Sequence, residues 1–350
     1  MRFHLDRNLL VIALVIIWTV YMNEVRRSLQ NVKFLPKTPG TKNIHYWKRP
    51  PWVSKDFFYN CKHKCEMTEG EYIPENSDAV IFHTPELWVG QPPAKPKGQI
   101  WVFHGLEPPM NYKMSYYNWH NVFNWTMSYR RDADIYQPYG IFQNPTFTKP
   151  IQKIFKPWLK KTAAWFVGNC HSQSKREQFV KLLQLYVDVD VYGYCGTRTC
   201  IKHGKDHSCL DLLNKSYNFY LSFESSLCRD YVTEKFFKVF KTSNVVPVVR
   251  GNAHYNMYGP PGSFIDSANF TSTRKLAQHL SSVAMSEKIF STFLKFRESY
   301  DMHDDFSYPF CELCRRVHNA PAYQRLYNDI GQWLYGSDKV PICIRPKDLS

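Results

Sequence analysis

Residues 217–235, YNFYLSFESSLCRDYVTEK, limit the possible folds more than any other part of the chain. An aromatic-rich apolar run ends at Glu224. A short polar loop follows, and Asp230-Tyr231-Val232-Thr233-Glu234-Lys235 leads into apolar positions Val232, Phe236, Val239 and Phe240, which have helical spacing. A buried strand feeding a loop and then a helix start builds an anion site. Unpaired backbone N–H groups and the positive end of the helix dipole both face the loop. Lys235 adds a full positive charge, and Glu234 a carboxylate suited to sugar hydroxyls. Together these groups suit a nucleotide-sugar.

The alternation recurs on either side. Residues 163–167 are apolar, and 173–186 carry Phe179, Leu182, Leu183 and Tyr186 at helical spacing. Val187, Val189 and Val191 then alternate with Asp188 and Asp190, as a strand does. Strand–helix–strand units of this kind predict a parallel sheet with covering helices. Leu276, Leu280 and Val283 mark another helix. Earlier, 79–83 and 100–104 read as buried strands joined through the Pro-rich 92–96, and 124–129 with 133–136 as a further strand and turn. Pro247 conflicts with a strand unless its missing N–H has no partner. The 350 residues leave room for two such domains.

A net charge of +15 attracts anionic partners. No compact Lys/Arg tract, zinc-finger spacing or RNA-binding signature accompanies it, which argues against nucleic acid. Residues 9–22 are almost wholly apolar, with no charge between Arg7 and Glu24. That is the short end of what a membrane-crossing helix needs, as suits thin early secretory membranes. The small-residue pattern of a cleaved leader is missing, so the segment reads as an uncleaved signal-anchor. Residues 1–8 would be a cytosolic tail and 23–55 a polar, proline-punctuated stem. Arg26, Arg27, Lys33 and Lys37 after the span would by charge alone keep the C-terminal side in the cytosol. Ten cysteines and the sequons at Asn124, Asn214 and Asn269 outweigh this and favour an oxidising lumen.

The block 217–235 is followed by Val245-Val246-Pro247-Val248-Val249-Arg250-Gly251, then Pro260-Pro261-Gly262-Ser263-Phe264-Ile265 and Phe270-Thr271-Ser272. In this order they resemble the α1,3-fucosyltransferases of glycosyltransferase family 10, whose signature reads roughly FYLxFENSxxxDYxTEK. Ser225 departs from it, standing where the family has Asn. The resemblance implies an α/β, GT-B-type fold, with two Rossmann-like domains facing a cleft behind an N-terminal transmembrane helix and stem. Residues 56–160 would be the acceptor-binding domain and 161–300 the GDP-fucose-binding domain. Residues 301–350 would form a C-terminal segment whose Cys-x-x-Cys packs back on the N-terminal domain. The protein would be a single-pass type II protein of the Golgi membrane, its catalytic part luminal.

The same resemblance supplies roles. Glu107 follows the predicted strand 100–104, which places it at the strand end facing the cleft. Partial burial there would raise its pKa and improve it as a base. The matching family Glu, usually followed by Ser and here by Pro108, is the general base for the acceptor hydroxyl. His104 competes for that role, but an isolated His at a strand end is more often a structural hydrogen bonder. Arg176, early in a helix, matches the family's phosphate-binding Arg, and its fork can grip phosphate oxygens where Lys cannot. Lys235 joins it on the diphosphate. Tyr231 matches a nucleotide contact, Glu234 a group holding ribose or fucose hydroxyls, and Glu224 and Ser225 complete the loop.

The implied reaction moves L-fucose from GDP-β-L-fucose to GlcNAc of a glycoprotein N-glycan, with inversion. The insert 194–200 and Cys228 look closer to the invertebrate and core-fucosylating branches. A Lewis-type enzyme acting on LacNAc and an inactive Golgi lectin are the competing readings. No motif requires a metal, and a divalent cation, Mn2+ or Mg2+, is expected only to stimulate. Cys61/Cys65 and Cys311/Cys314 fit a zinc site or disulfides, and a secretory chain favours disulfides. The family pairs its C-terminal Cys-x-x-Cys with cysteines near the start of the catalytic part, a role that Cys61 and Cys65 fit. Cys195, Cys200, Cys209 and Cys228 cluster around the donor loop and are expected to pair among themselves.

Overall fold

The computed structural model describes residues 18–19, 40–84, 87, 91–112, 116–145, 161–199, 207–242 and 244–349. Residues 42–350 form one compact unit. The expected cytosolic tail, the membrane segment apart from Trp18 and Thr19, and residues 23–39 of the stem lie outside the described residues, as does Cys200. Among the described residues no helix is long and apolar enough to cross a membrane.

A first sheet contains β1 (Lys42–Trp47), β2 (Cys65–Glu69), β3 (Ala79–His83), β4 (Ile100–Gly105), β5 (Trp125–Ser128) and β6 (Ile135–Tyr136). Its order is β2-β1-β3-β4-β5-β6, and every pair is parallel. β7 (Ile141–Gln143) follows it in the chain and leads to a second parallel sheet. That sheet is built from β8 (Lys161–Phe166), β9 (Val189–Tyr192), β10 (Tyr217–Phe223), β11 (Val246–Arg250) and β12 (Ile265–Asp266) in the order β12-β11-β10-β8-β9. β13 (Asp301–His303) pairs antiparallel with β7. Both sheets have the flavodoxin-like order of the doubly wound folds, in which the direction of strand addition reverses once. The reversals fall between β1 and β3 and between β8 and β10. Ligands of such sheets bind outside the strands' carboxyl ends at that point.

Parallel strands are covered on both faces, so they read as nearly continuous apolar runs. β10 is buried at every residue. Phe219, Leu221 and Phe223 face α1 (Arg176–Leu183) and, further along, α4 (Thr273–Ala284), which is followed by α5 (Glu287–Thr292). Tyr220 lies on the opposite face with Leu213 of α2 (His207–Ser216) and Phe236 and Phe240 of α3 (Glu234–Thr242). The Pro247 conflict resolves because β12 pairs only with Val248 and Val249, leaving Pro247 without a ladder partner on that side.

The first sheet is finished by the end of the chain. α6 (Ser307–His318) lays Phe310, Leu313 and Val317 against Ile44, Ile81 and Val102. On the other face, α7 (Ile330–Tyr335) lays Ile330 and Leu334 against Phe82, Trp101 and Phe103. β1 corrects the expected stem, since it lies inside 23–55 yet pairs on both sides, with Ile44 and Tyr46 fully buried. Its alternation of polar and apolar residues, followed by Pro50-Pro51, hid a strand whose polar His45 is itself buried.

Disulfides Cys61–Cys311 and Cys65–Cys314 tie α6 to the start of the first sheet. Cys311 and Cys314 share one helix face, as three-residue spacing dictates. Cys65, Cys314 and His318 are close enough to suggest a metal group, but both sulfurs are in disulfides and offer no thiolate. The expected pairing among Cys195, Cys200, Cys209 and Cys228 is corrected for Cys195 and Cys228. Cys195 pairs with Cys170 because each closely follows one of the neighbouring strands β8 and β9. Cys228 pairs with Cys343, where the C-terminal tail crosses the 224–233 loop as an antiparallel bridge. Cys209 is also disulfide-bonded.

The sequons divide. Asn124 is absorbed by the fold: its Oδ1 accepts from Trp101 N and Lys95 Nζ, and its Nδ2 donates to Arg325 O. Asn214 Oδ1 accepts from Asn244 N, whereas Asn269 is exposed.

Two expectations follow. Removing Cys61–Cys311 by paired Ser substitution should cost about 1 kcal/mol or less, because Cys65–Cys314 still closes nearly the same loop. Removing both bridges should cost about 4 kcal/mol. Urea midpoints of the oxidised proteins check this, and equal losses from the first and second removals would contradict it. In secreted chain, Asn269→Gln should raise electrophoretic mobility by one glycan, while Asn124→Gln should leave mobility unchanged and lower the melting temperature.

Candidate active site

The reversal between β8 and β10 collects most of the residues singled out from sequence. Glu224 follows β10 and is fully buried. Its carboxylate accepts from Thr233 N at 2.8 Å and from Thr233 Oγ1 at 2.8 Å, and Lys235 Nζ lies 3.3 Å away. Burial pushes the Glu224 pKa up, and Lys235 opposes this. Lys235 Nζ donates to Thr233 Oγ1 at 2.7 Å and to Glu234 Oε1 at 3.2 Å. Burial would lower the Lys235 pKa, but Glu224 and Glu234 together hold it above its ordinary value. Glu234 is exposed; burial would raise its carboxyl, yet Lys235 and Lys238 hold it below the ordinary value. Ser222 Oγ also donates to Lys235 O, so the end of β10 is laced to the first turn of α3.

Arg176 opens α1 in the facing loop. Its Nη1 donates to Phe223 O at 2.7 Å, its guanidinium lies 5.6 Å from the Trp165 ring centre, and its buried Nε finds no acceptor. Burial lowers its pKa, with Glu224 opposing. One arm of the guanidinium thus holds the strand end, and the buried Nε–H is left without an acceptor. Both loops contain a non-glycine residue in the left-handed region, Lys175 (φ 49°) before Arg176 and Asp230 (φ 64°) before Tyr231. Such conformations are costly and persist where the surroundings impose them, often at ligand sites. Asp230 is held by Tyr258 Oη, which donates to Oδ1, and by Arg131 N, which donates to Oδ2.

Glu107 approaches from the first lobe. Sequence predicted partial burial, but Glu107 is exposed, because the Pro108-Pro109 turn carries it off the end of β4 into solvent. Asn111 Nδ2 donates to its Oε2 at 2.7 Å, and Tyr112 Oη donates to its carbonyl. Two tyrosines, the half-buried Tyr139 and the buried Tyr231, lie between it and the second lobe. Tyr139 Oη donates to Leu106 O, and burial pushes its phenol well up, helped by Tyr231, Glu107, Glu234 and Glu224. Tyr231 is likewise raised by burial, then by Glu224 and Glu107. Its ring meets Tyr129 edge-on at 5.0 Å. The two tyrosines thus lie within the fields of carboxylates from both lobes.

His104 is ruled out as the base. It is fully buried against Gln137 Oε1 and Tyr46 Oη, and burial and His83 lower its pKa to about 3. Sequence reasoning missed Tyr139, whose only local signal is its place between Pro138 and Gly140. It also gave Thr233 no role, although Thr233 lies inside the 217–235 block.

Known proteins resemble the chain over most of its length. The family model described as glycosyltransferase family 10 (fucosyltransferase) C-term matches residues 157–333, and the fucosyltransferase N-terminal model matches 39–140. Alpha-(1,3)-fucosyltransferase C of Drosophila melanogaster is 35% identical, over 84% of this chain and 75% of its own length. Alpha-(1,3)-fucosyltransferase 7 of Bos taurus is 35% identical, over 77% and 78%. Glycoprotein 3-alpha-L-fucosyltransferase A of Drosophila melanogaster is 30% identical, over 82% of this chain and 58% of its own length. A crystal structure of an alpha1,3-fucosyltransferase with GDP-fucose matches in fold with a TM-score of 0.51, at 14% identity, covering 82% of this chain and 92% of that one.

The buried pair makes a pH-dependent expectation. Lys235→Met leaves Glu224 without its cation and should cost about 3–5 kcal/mol at neutral pH. Glu224 then titrates still higher in the folded state. Its contribution is therefore intact at low pH, where the carboxyl is protonated in both states, and is lost as pH rises through the raised value. Urea unfolding of this variant should show a much smaller loss near pH ~4. Glu224→Gln in the same background should restore most of the stability at neutral pH. Equal losses at both pH values would refute the buried-pair account.

Proposed function

The chain belongs to glycosyltransferase family 10, the fucosyltransferases, and on that premise we propose that it is an inverting α1,3-fucosyltransferase. It moves L-fucose from GDP-β-L-fucose to a GlcNAc hydroxyl of glycoprotein N-glycans. The observation that supports this most is the cluster that brings Leu106, the neighbour of Glu107, together with Tyr139 and with Tyr231 of the donor loop, Tyr139 Oη donating to Leu106 O.

The chemistry divides between the lobes. Glu107, exposed and held by Asn111, takes the proton of the acceptor hydroxyl. The freed oxygen attacks C1 of fucose from the face opposite the diphosphate, the C1–O bond to GDP breaks, and the configuration inverts. Lys235, the free N–H of Arg176 and the start of α3 stabilise the charge that develops on the departing diphosphate. Tyr231 and Ser225 border the nucleotide, and the exposed Glu234 carboxylate accepts from sugar hydroxyls. No residue is assigned to a metal; Mn2+ or Mg2+ would act only by further neutralising the leaving group.

The cysteine-bearing segment around Cys195 and Cys228 favours the innermost GlcNAc as acceptor over LacNAc. We place the protein in the Golgi membrane as a single-pass type II chain with both sheets in the lumen, a setting that suits the disulfides.

The reading is tested with labelled GDP-fucose and a panel of N-glycan and LacNAc acceptors. Wild type should transfer fucose to the N-glycan core in preference to LacNAc. Glu107→Gln should lower kcat by about 10²–10⁴ while leaving GDP affinity unchanged. Undiminished transfer by that variant would sink the base assignment, and wild type that binds GDP but transfers to no acceptor would make the protein a lectin.

A further inference from the structure

Beside the proposed centre lies a cavity of about 330 Å³ that the reaction above does not use. Tyr136, Phe142, Tyr258 and Tyr300 supply aromatic walls, and Arg131 and Asn256 supply polar ones. Its size is at the small end of ligand pockets, enough for a short piece of glycan. Two glycines let the walls approach: a side chain on Gly140 would meet the Phe237 ring at 2.6 Å, and one on Gly259 the Phe236 ring at 2.6 Å.

The position is informative. Arg131 and Tyr136 come from the carboxyl edge of the first sheet, and Asn256 and Tyr258 follow β11 at the carboxyl edge of the second. One wall, at Gly140, adjoins Tyr139, whose hydroxyl bonds to the carbonyl preceding Glu107. The other, at Tyr258, bonds to Asp230, which precedes Tyr231. The cavity therefore opens beside both halves of the proposed centre.

Its chemistry suits a sugar. The Arg131 guanidinium is held between two rings, with centres 5.8 Å away at Tyr136 and 5.9 Å at Tyr258. A guanidinium set between two rings presents its N–H fork toward the cavity. The aromatic faces suit the C–H faces of a pyranose, and the Arg131 and Asn256 side chains suit hydroxyl or acetamido oxygens. Asp230, bonded to Tyr258 and to the Arg131 backbone, balances the local charge. A neutral sugar therefore fits better than an acidic one.

We propose that this cavity is a subsite for a neutral sugar of the acceptor glycan next to the GlcNAc that receives fucose, and that Arg131 and Asn256 set acceptor specificity through it. The inference rests on the proposed transferase reading. Both side chains are exposed, and Arg131→Ala keeps the backbone bond to Asp230. The test compares wild-type full chain with Arg131→Ala/Asn256→Ala on two neutral acceptors, a GlcNAc monosaccharide glycoside and a GlcNAc-terminated N-glycan core.

For the N-glycan core, KM should rise about tenfold at unchanged kcat. The monosaccharide and GDP-fucose KM values and the melting temperature should hold. Equal loss on both acceptors, an unchanged KM for the N-glycan core, or a shifted GDP-fucose KM would overturn the subsite. Saturation-transfer NMR of chitobiose on the GDP-loaded protein provides a readout that needs no turnover. A chitobiose difference signal that is present in wild type and weakened in the double variant at the sugar next to the acceptor GlcNAc supports the subsite. A signal of equal strength in both proteins overturns it, even if wild type proves inactive and the transferase reading fails.

Discussion

A fully buried carboxylate at the end of a fully buried strand organises this molecule. Water cannot reach Glu224, so its charge is tolerable only if protein donors replace water. Thr233 supplies a backbone N–H and a hydroxyl, and Lys235 supplies a cation. Because these donors come from the start of α3, satisfying the carboxylate also fixes where that helix begins and where its N-terminal end points. The left-handed Asp230 is a consequence: the loop must turn sharply to return Thr233 to the strand it has just left.

The same loop couples the two sheets. Leu106 and Tyr129 of the first lobe share a small apolar cluster with Cys228, Tyr231 and Ile342. Around it, Arg229 Nη2 donates to Asp132 Oδ2 at 2.8 Å, and Arg131 N reaches Asp230. The C-terminal tail braces the other side. Ile344 N donates to Leu227 O, and the buried Arg250 makes paired bonds of 2.7 Å to both Asp348 oxygens. The segment proposed to carry the donor chemistry is thus clamped between the first lobe and the chain terminus. Loop closure in a single buried network fixes the site more firmly than long side chains reaching from separate elements would.

Much of this was legible in sequence, for identifiable reasons. β10 and α3 could be read because two-sided burial gives an unbroken apolar run and the helix then shows its own period. That Arg176, Glu224, Tyr231, Glu234 and Lys235 gather at one end of the second sheet could be read because they are contiguous or lie at strand–helix junctions. Glu107 was found by its strand, but its exposure was not, since burial depends on what packs beyond the Pro108-Pro109 turn. β1 was lost because polar and basic residues interrupt its apolar ones. Tyr139 and the bonds between Arg250 and the tail were invisible because they depend on juxtapositions across many residues, which local pattern does not encode. The partners of Cys195 and Cys228 were missed for the same reason, as spatial adjacency of strand ends overrides closeness in sequence.

The cover of the first sheet has a consequence for biosynthesis. One face of that sheet is closed by α6 and the other by α7, both made after the whole second sheet. The amino-terminal half therefore emerges from the ribosome with both apolar faces only partly covered, by Trp119 and Phe123 on one and Phe58 on the other. Cys61 must wait for a cysteine 250 residues later. At about 5–20 residues per second that interval is on the order of tens of seconds. Throughout it the nascent sheet depends on chaperones to stay unaggregated, and a ribosome that stops short of α7 releases a chain in which neither lobe is complete.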